Sequence, residues 1–599
     1  MLRTNRFLLT WFLRKTGDIN LSKSRKRNSS SPLNLGKTNS KQKTSKEKKK
    51  TEKQPKEHGY KTKYIKKIVL PFQGIIDRKL FLRASDFIAL GILYYSIKDR
   101  WNLLDNHAFW LDEIWRVDLI LAPDLFEAYF LKPSPFTAIT SPLFVFPIRL
   151  FTSVLGVEPN TFRLFLLICA ALLGFSSYMF FRRTNKALAL CTLYFFSHNP
   201  VLTYWTWEFK PYIFDALVLV TIYLYWSVMI GKYQVEPRKV KIFFIILSIA
   251  LLASFTTVML LPGIFATFLL LARQGRILVS ESRLILFSLL IAIQTFLSYL
   301  LFWRYGSHPG MKSFWSNGFS DPTHFDYLNF LIRSLYEPFI NFTYLEPEYI
   351  FIPAIGFAVF CVFPLFGSYK TQLRIFLNQV IFMFFFFATL TLSNVIGIWP
   401  LGDLRVNLFY KVILFLFLCV VPLSFDFDGR HKLIATARTI FLVSIILYSS
   451  SQNSLHKIEF PEPVNPDYVM SKFRDSGDLA ESIKNTCVRS KSVVVLNPPM
   501  GFQFKYYVNY DKTFSKSLTT LQGDCVIQIP MSQIGELSDK SKLTIRDTLQ
   551  SGGKVFWLFS NSSKEDVSKM YSQAKLLGAP QIADRYEDTG DGYFQITSF

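Results

Sequence analysis

The chain is poor in the residues from which soluble metal and redox sites are built. Six cysteines and seven histidines are spread over 599 residues, and no CxxC pair or His/Cys cluster has the spacing of a zinc site. Cys169, Cys191, Cys361 and Cys419 lie inside apolar runs and read as small core residues. Cys487 and Cys525 lie in the polar C-terminal part, and the sequence leaves open whether they pair. No Walker loop or GxGxxG loop is present. The opening "MLRTNRFLLTWFLRK" has an apolar run of only seven residues and no small-residue cleavage site after it, so it reads as a short interfacial patch rather than a secretory leader.

Acidic residues are also scarce, at 43 against 68 Lys and Arg, for a net charge of +25. The excess is concentrated at one end. Residues 1–67 carry 21 Lys and Arg against 4 acids. This Lys/Ser-rich stretch has few large apolar residues to bury, so disorder is predicted for it. Without interleaved aromatics it does not read as a nucleic-acid binder. Beside a membrane, it reads as a cytoplasmic tail near anionic lipid.

What is abundant is apolar surface. Half of the residues are hydrophobic, Phe alone supplies 61, and the mean hydropathy is positive. These values point to a membrane protein. Apolar runs fall near 80–97, 162–181, 187–204, 211–230, 242–257, 259–272, 284–303, 349–366, 375–399, 407–424 and 434–450. The pair 242–257 and 259–272 reads as a hairpin turning near Pro262. A further run, Ser141–Gly156, reads as a helix in the interface. With that choice "RRTNK", "KYQVEPRKVK", "RQGR", "SYKTQLR" and "DGRHK" all fall on the side of the basic tail, as the positive-inside rule requires. The expected architecture is an α-helical polytopic membrane protein of about eleven transmembrane helices, residues 68–450. Residues 451–599 are expected to form a small soluble α/β domain outside the cytosol, with strands at 492–497, 524–530 and 554–560 and helices near 541–550 and 563–577. The external loops are then 98–161, 304–348, and short ones near 205–210 and 400–406.

Four groups could carry chemistry. "HAFWLDEIW" places Asp112 and Glu113 among Phe109, Trp110 and Trp115, aromatics that favour the headgroup level. Partial desolvation there makes a carboxylate a better base, whereas the simpler reading is a solvated acidic loop. Asp118, Asp124 and Glu127 follow and could be a wet helix face. "YWTWEFKPYIFD" places Glu208 and Lys210 at a turn between two spans, either as a satisfied pair or as a cation for phosphate. Asp215 falls one turn into the next span, where an acid is costly and usually functional. "IWPLGDLRVNLF" places Arg405 at the start of another span, suited to clamping phosphate or to snorkelling. "HPGMKSFWSNGF" offers His308, Lys312 and Trp315 as a substrate entrance or a lid helix.

In this order the groups resemble the bacterial GT-C glycosyltransferases related to protein O-mannosyltransferases and to the lipid A aminoarabinose transferase. "WLDEIW" resembles their first-loop acidic motif, and "SPLFVFPIRLFTSVLGVEPNTFRLF" is similar to their "PPLYY…FG…ARLPS" stretch. "WTWEFKPYIFD" resembles their "YSQEARPY", with Glu208, Lys210, Tyr212 and Asp215 at matching places, and "WPLGDLR" resembles a late element carrying an Arg. Thr140 and Ser141 stand where some relatives have a Lys, which leaves that contact to Lys132 or Lys210. The resemblance implies a multi-pass enzyme of the plasma (inner) membrane. Its donor would be a polyprenyl-phosphate-linked sugar, transferred on the outer face to a lipid, glycan or protein acceptor. Asp112 would be the base, Glu113 would orient it, hold the acceptor or help bind a metal, and Lys210 and Arg405 would neutralise the leaving phosphate. No cofactor is called for, and the need for a divalent metal stays open. The other reading is a transporter or a lipid-linked-oligosaccharide flippase, which predicts paired internal repeats. None is visible here, and the notable charges gather on one face.

Overall fold

A computed structural model describes residues 78–104, 111–126, 129, 140–232, 234–302, 318–320, 326–343, 370–403, 406–423, 432–455, 492–496, 526–530, 537–559, 564–586 and 591–597. The chain divides into two units, Met1–Lys66 and Lys67–Phe599, and every described residue belongs to the second. The basic tail, the span expected at 349–366, and Lys132, His308, Lys312, Trp315, Arg405, Cys487 and Cys525 lie outside the described residues.

The first half is a run of helices whose breaks are set by Asn, Pro and extended residues. Helix α1 is Arg78–Leu103, α2 is Leu111–Leu121, α3 is Pro142–Leu155 and α4 is Pro159–Phe181. Helix α4 has 23 residues, or about 34 Å, enough to cross a hydrocarbon layer of about 30 Å. Helix α3 has 14 residues, only about 21 Å. One of its faces is exposed, with Phe146, Leu150 and Val154 one turn apart. The other face buries Phe144, Val145 and Ile148. From this helix the Arg149 guanidinium donates to the carbonyls of Ile120 (3.2 Å) and Ala122 (2.7 Å), closing the open C-terminal end of α2.

The span expected at 187–204 is two helices, α5 Lys186–His198 and α6 Pro200–Trp207. The break has a local cause. Pro200 lacks an N–H and disfavours helical geometry at Asn199, which is extended. The Asn199 side chain then caps α6 by accepting from Leu202 N–H at 3.1 Å, and donates to the Phe342 carbonyl at 2.8 Å. Next come α7 Tyr212–Ile230 and α8 Pro237–Ala253. After α8 the chain turns at Ser254, not near Pro262 as the sequence suggested. Ser254 is extended, a 3₁₀ segment Phe255–Leu260 follows, and Pro262 lies in the first turn of α9, Leu261–Arg273, where its missing N–H costs no bond.

Helices α10 Glu281–Leu301, α11 Tyr327–Thr343, α12 Lys370–Val395, α13 Leu408–Leu423 and α14 Lys432–Leu455 follow among the described residues. Helix α9 crosses α12 so closely that a Cβ on Gly263 would lie 2.7 Å from the Phe382 carbonyl oxygen. Helix α4 packs on α1, α3, α5, α6 and α7, and α13 packs on α7 and α11. Among the described residues five segments are long and apolar enough to cross a membrane: Pro159–Phe181, Tyr212–Ile230, Phe255–Arg273, Glu281–Leu301 and Leu373–Val395.

Among the described residues the last part is a five-stranded sheet of order β2-β1-β3-β5-β4. Strands β1 Ser492–Leu496, β2 Val526–Pro530 and β3 Lys554–Phe559 are parallel, with β1 between the other two. Strands β4 Ala579–Tyr586 and β5 Asp591–Thr597 add an antiparallel extension. Val493, Val495, Val555 and Trp557 face helices α15 Asp539–Gln550 and α16 Lys564–Lys575, whereas Val494 and Phe556 join the large helical core. Burial on both faces explains why β1 and β3 read as unbroken apolar runs.

Candidate active site

The site begins at the N-terminal end of α2. Asp112 is the second residue of this helix, with its side chain outside the described set, and Glu113 is the third. The Glu113 side chain is 2% exposed and reaches two other parts of the chain. Arg163 of α4, itself fully buried, places one guanidinium nitrogen 3.2 and 3.3 Å from its two carboxylate oxygens. The main-chain N–H of Phe209, 96 residues away, donates to Oε1 of the same carboxylate. Arg163 also stacks over the Trp207 ring at 5.3 Å. Glu113 is therefore a junction between α2, α4 and the turn after α6.

That turn carries the second sequence group. The Lys210 N–H donates to the Glu208 carbonyl at 2.7 Å, which brings the two side chains to one side. They form an ion pair with both partners 2% exposed, and the Lys210 ammonium lies 5.8 Å from the Trp205 ring centre. Tyr212 meets Trp205 edge to face at 4.8 Å. Asp215 lies in the first turn of α7, where the helix dipole favours an anion, and interacts with Ser254 and the buried Arg116 of α2. The structure thus joins the LDE group to the EFKPY group directly, through Phe209 between Glu208 and Lys210.

The third group is a braced turn. Asn407 is completely buried. Its amide donates to the carbonyls of Pro400 (3.1 Å), Leu401 (2.8 Å) and Asp403 (2.7 Å), and its oxygen accepts from Trp399 Nε1 (2.9 Å). Asn394 donates to the Gly318 carbonyl at 2.9 Å, and that carbonyl also accepts from Gly402 N–H. A Cβ on Gly318 would lie 2.5 Å from Pro400 Cβ, so only glycine fits this contact. Arg405 itself is outside the described residues. Among the described residues no group of three or more His, Cys, Asp or Glu converges as metal ligands.

Sequence reasoning did not single out Arg163, Arg116, Asn407 or Lys411. Two of these had a usable signal, because Arg163 in "NTFRLFLLICAALLGF" and Lys411 in "NLFYKVILFLFL" are lone cations at the start of apolar runs. Asn407 had none, since its role is to satisfy main-chain carbonyls.

Fold and site together define a multi-pass helical membrane protein in which an acid-bearing helix is fastened by a buried ion pair and a main-chain hydrogen bond. Its fold is similar to that of ArnT from Cupriavidus metallidurans, solved bound to undecaprenyl phosphate, at 12% identity and a TM-score of 0.46, over 87% of this chain and 98% of that one. It is also similar to the Archaeoglobus fulgidus oligosaccharyltransferase, at 10% identity and a TM-score of 0.40, over 81% of this chain and 69% of that one. No family model and no curated protein matches the sequence.

Proposed function

We propose that the chain is a membrane glycosyltransferase that moves a sugar from a polyprenyl-phosphate-linked donor to a hydroxyl acceptor, with inversion. The observation that carries this reading is the Glu113 junction. By holding Arg163 and the Phe209 N–H at once, it fixes the start of α2, and so Asp112, against the turn that presents Lys210. Asp112 takes the proton of the acceptor hydroxyl, whose oxygen attacks the anomeric carbon from the face opposite the phosphate. The bond from that carbon to the phosphate oxygen breaks, and the lipid phosphate leaves with the electron pair. Lys210, with Arg405, stabilises the leaving phosphate. Glu113 orients α2. Glu208, Tyr212 and Asp215 hold the cation and the turn in place. In the proposed topology the site and residues 451–599 lie outside the plasma membrane, and the basic tail lies in the cytosol.

Membranes containing the chain, supplied with radiolabelled polyprenyl-phosphate sugars, provide the test. Wild type should cleave the sugar–phosphate bond. Asp112→Asn should lose at least about 10²-fold in rate, the lower range for a general base, while still binding donor. Full transfer by Asp112→Asn, with loss in Lys210→Ala, would remove Asp112 as the base. Lipid movement across liposomes without bond cleavage would instead favour a flippase.

A further inference from the structure

The acid-bearing helix α2 is fastened at both ends, and the fastening at its far end comes from a helix with an apolar outer face. Helix α2 has no basic residue in its own last turn, so its final carbonyls and the negative end of its dipole call for a cation from elsewhere. Arg149 of α3 supplies it. One guanidinium nitrogen donates to the carbonyls of Ile120 and Ala122, and the other lies 3.4 Å from the carbonyl of Pro123. Among the described residues no carboxylate pairs with Arg149, so its hydrogen bonds all go to the main chain at the end of α2.

Arg149 is the single charged residue of α3, and it is turned toward the protein. The outward side is apolar: Phe146, Leu150 and Val154 are 57%, 65% and 73% exposed. A helix lying against water keeps polar residues on its outer face, and α3 does not. The neighbouring helix indicates what covers it instead. Helix α3 ends at Gly156, and Pro159 already starts the apolar span α4, whose Ile168, Leu172 and Phe175 are exposed at helical spacing. Phe144 and Phe151 of α3 pack edge to face on Phe165, early in α4. The apolar side of α3 therefore sits beside the end of a spanning helix, at the level where acyl chains meet headgroups. Its start is fixed as well, because the Ser141 hydroxyl donates to the Ala253 carbonyl at the end of α8.

We infer that α3 is a strut seated in the phospholipid surface and that Arg149 is a positioning residue, which holds α2, and with it Asp112, at a set place relative to that surface. The partner is the bilayer interface itself, met by Phe146, Leu150 and Val154. The catalytic consequence rests on the reading of Asp112 as the base, whereas the strut does not.

The full chain in phosphatidylcholine nanodiscs provides the test. Spin labels on Asp124→Cys, just past α2, and on Glu158→Cys, just before α4, in an otherwise cysteine-free chain, give a distance distribution by double electron–electron resonance. Arg149→Met should shift or broaden it, and Arg149→Lys, which keeps the charge and three donors, should restore it. In transfer from a radiolabelled polyprenyl-phosphate sugar, Arg149→Met should lower kcat about tenfold or more, within the roughly 10²-fold that about 1 Å of misplacement can cost, and leave the donor KM as in wild type. A fluorophore on Val154→Cys should be quenched more by lipids carrying a nitroxide near the headgroup than by lipids carrying it at the chain end. An unchanged distance in Arg149→Met overturns the inference. So does a wild-type kcat, a loss confined to KM, or a fluorophore that neither lipid quenches. Should Arg149→Met fail to fold, Phe146→Ser with Leu150→Ser leaves Arg149 in place and carries the same measurements, with the same shift and loss expected and an unchanged distance overturning the strut. If wild type leaves the sugar–phosphate bond intact, the donor reading falls, and the distances alone decide on Arg149.

Discussion

Arg163 and Glu113 owe their pairing to the expense of leaving either charge alone. Both are withdrawn from water, with exposures of 0% and 2%. Each ion loses several kcal/mol of hydration, so the pair persists only because its remaining lone pairs are also used. The Phe209 N–H provides that additional bond. Arg163→Met should therefore cost about 3–5 kcal/mol, the range for breaking a buried pair from one side. Arg163→Met combined with Glu113→Gln should cost less than the sum of the two single changes, because the second removes the charge stranded by the first. Thermal unfolding in detergent measures all three proteins, and additive costs would mean that the two residues do not interact. At this scale the sequence showed that Asp112, Glu113, Glu208 and Lys210 are unusual, because charge beside aromatic and apolar runs stands out. It could not show which charge meets which, since the contacts join positions 50 and 96 residues apart.

Between helices, the decisive quantities are where a helix stops and how near its neighbour can come. The break at Asn199–Pro200 was written in the chain, because Asn before Pro both caps and interrupts. It was passed over because the apolar run continues through it. The turn at Ser254 was not legible. "ASFTTV" contains neither Gly nor Pro, and the nearby Pro262 drew attention to a place where proline begins a helix instead of ending one. The strands β4 and β5 were also missed, since "APQIADRY" and "DGYFQIT" mix polar residues into short runs. The α9–α12 crossing gives a sharp test. Gly263→Leu places side-chain atoms where the Phe382 carbonyl already lies, and overpacking of this kind costs roughly 1–3 kcal/mol. Melting of the variant in detergent should fall accordingly, while a leucine accepted without loss would mean that α9 and α12 stand further apart.

For the whole molecule, the distribution of charge and apolar length carries the membrane reading, and the proposed orientation makes it measurable. Asp124, after α2, falls outside the cell in that topology, whereas Glu236, at the start of α8, falls inside. In an otherwise cysteine-free chain, Asp124→Cys should react with a membrane-impermeant maleimide in intact cells. Glu236→Cys should react only after permeabilisation, and the reverse pattern would invert the molecule. The junction that ties this architecture to its site also has an unequal inheritance. One of its members is the carboxylate of Glu113, which a single codon change can delete. Another is the peptide N–H of residue 209, which nineteen of the twenty amino acids supply equally well. A mutational screen would therefore report the junction itself at position 113, whereas at position 209 it would report the loss of a buried ring, and the missing N–H only where proline is the replacement.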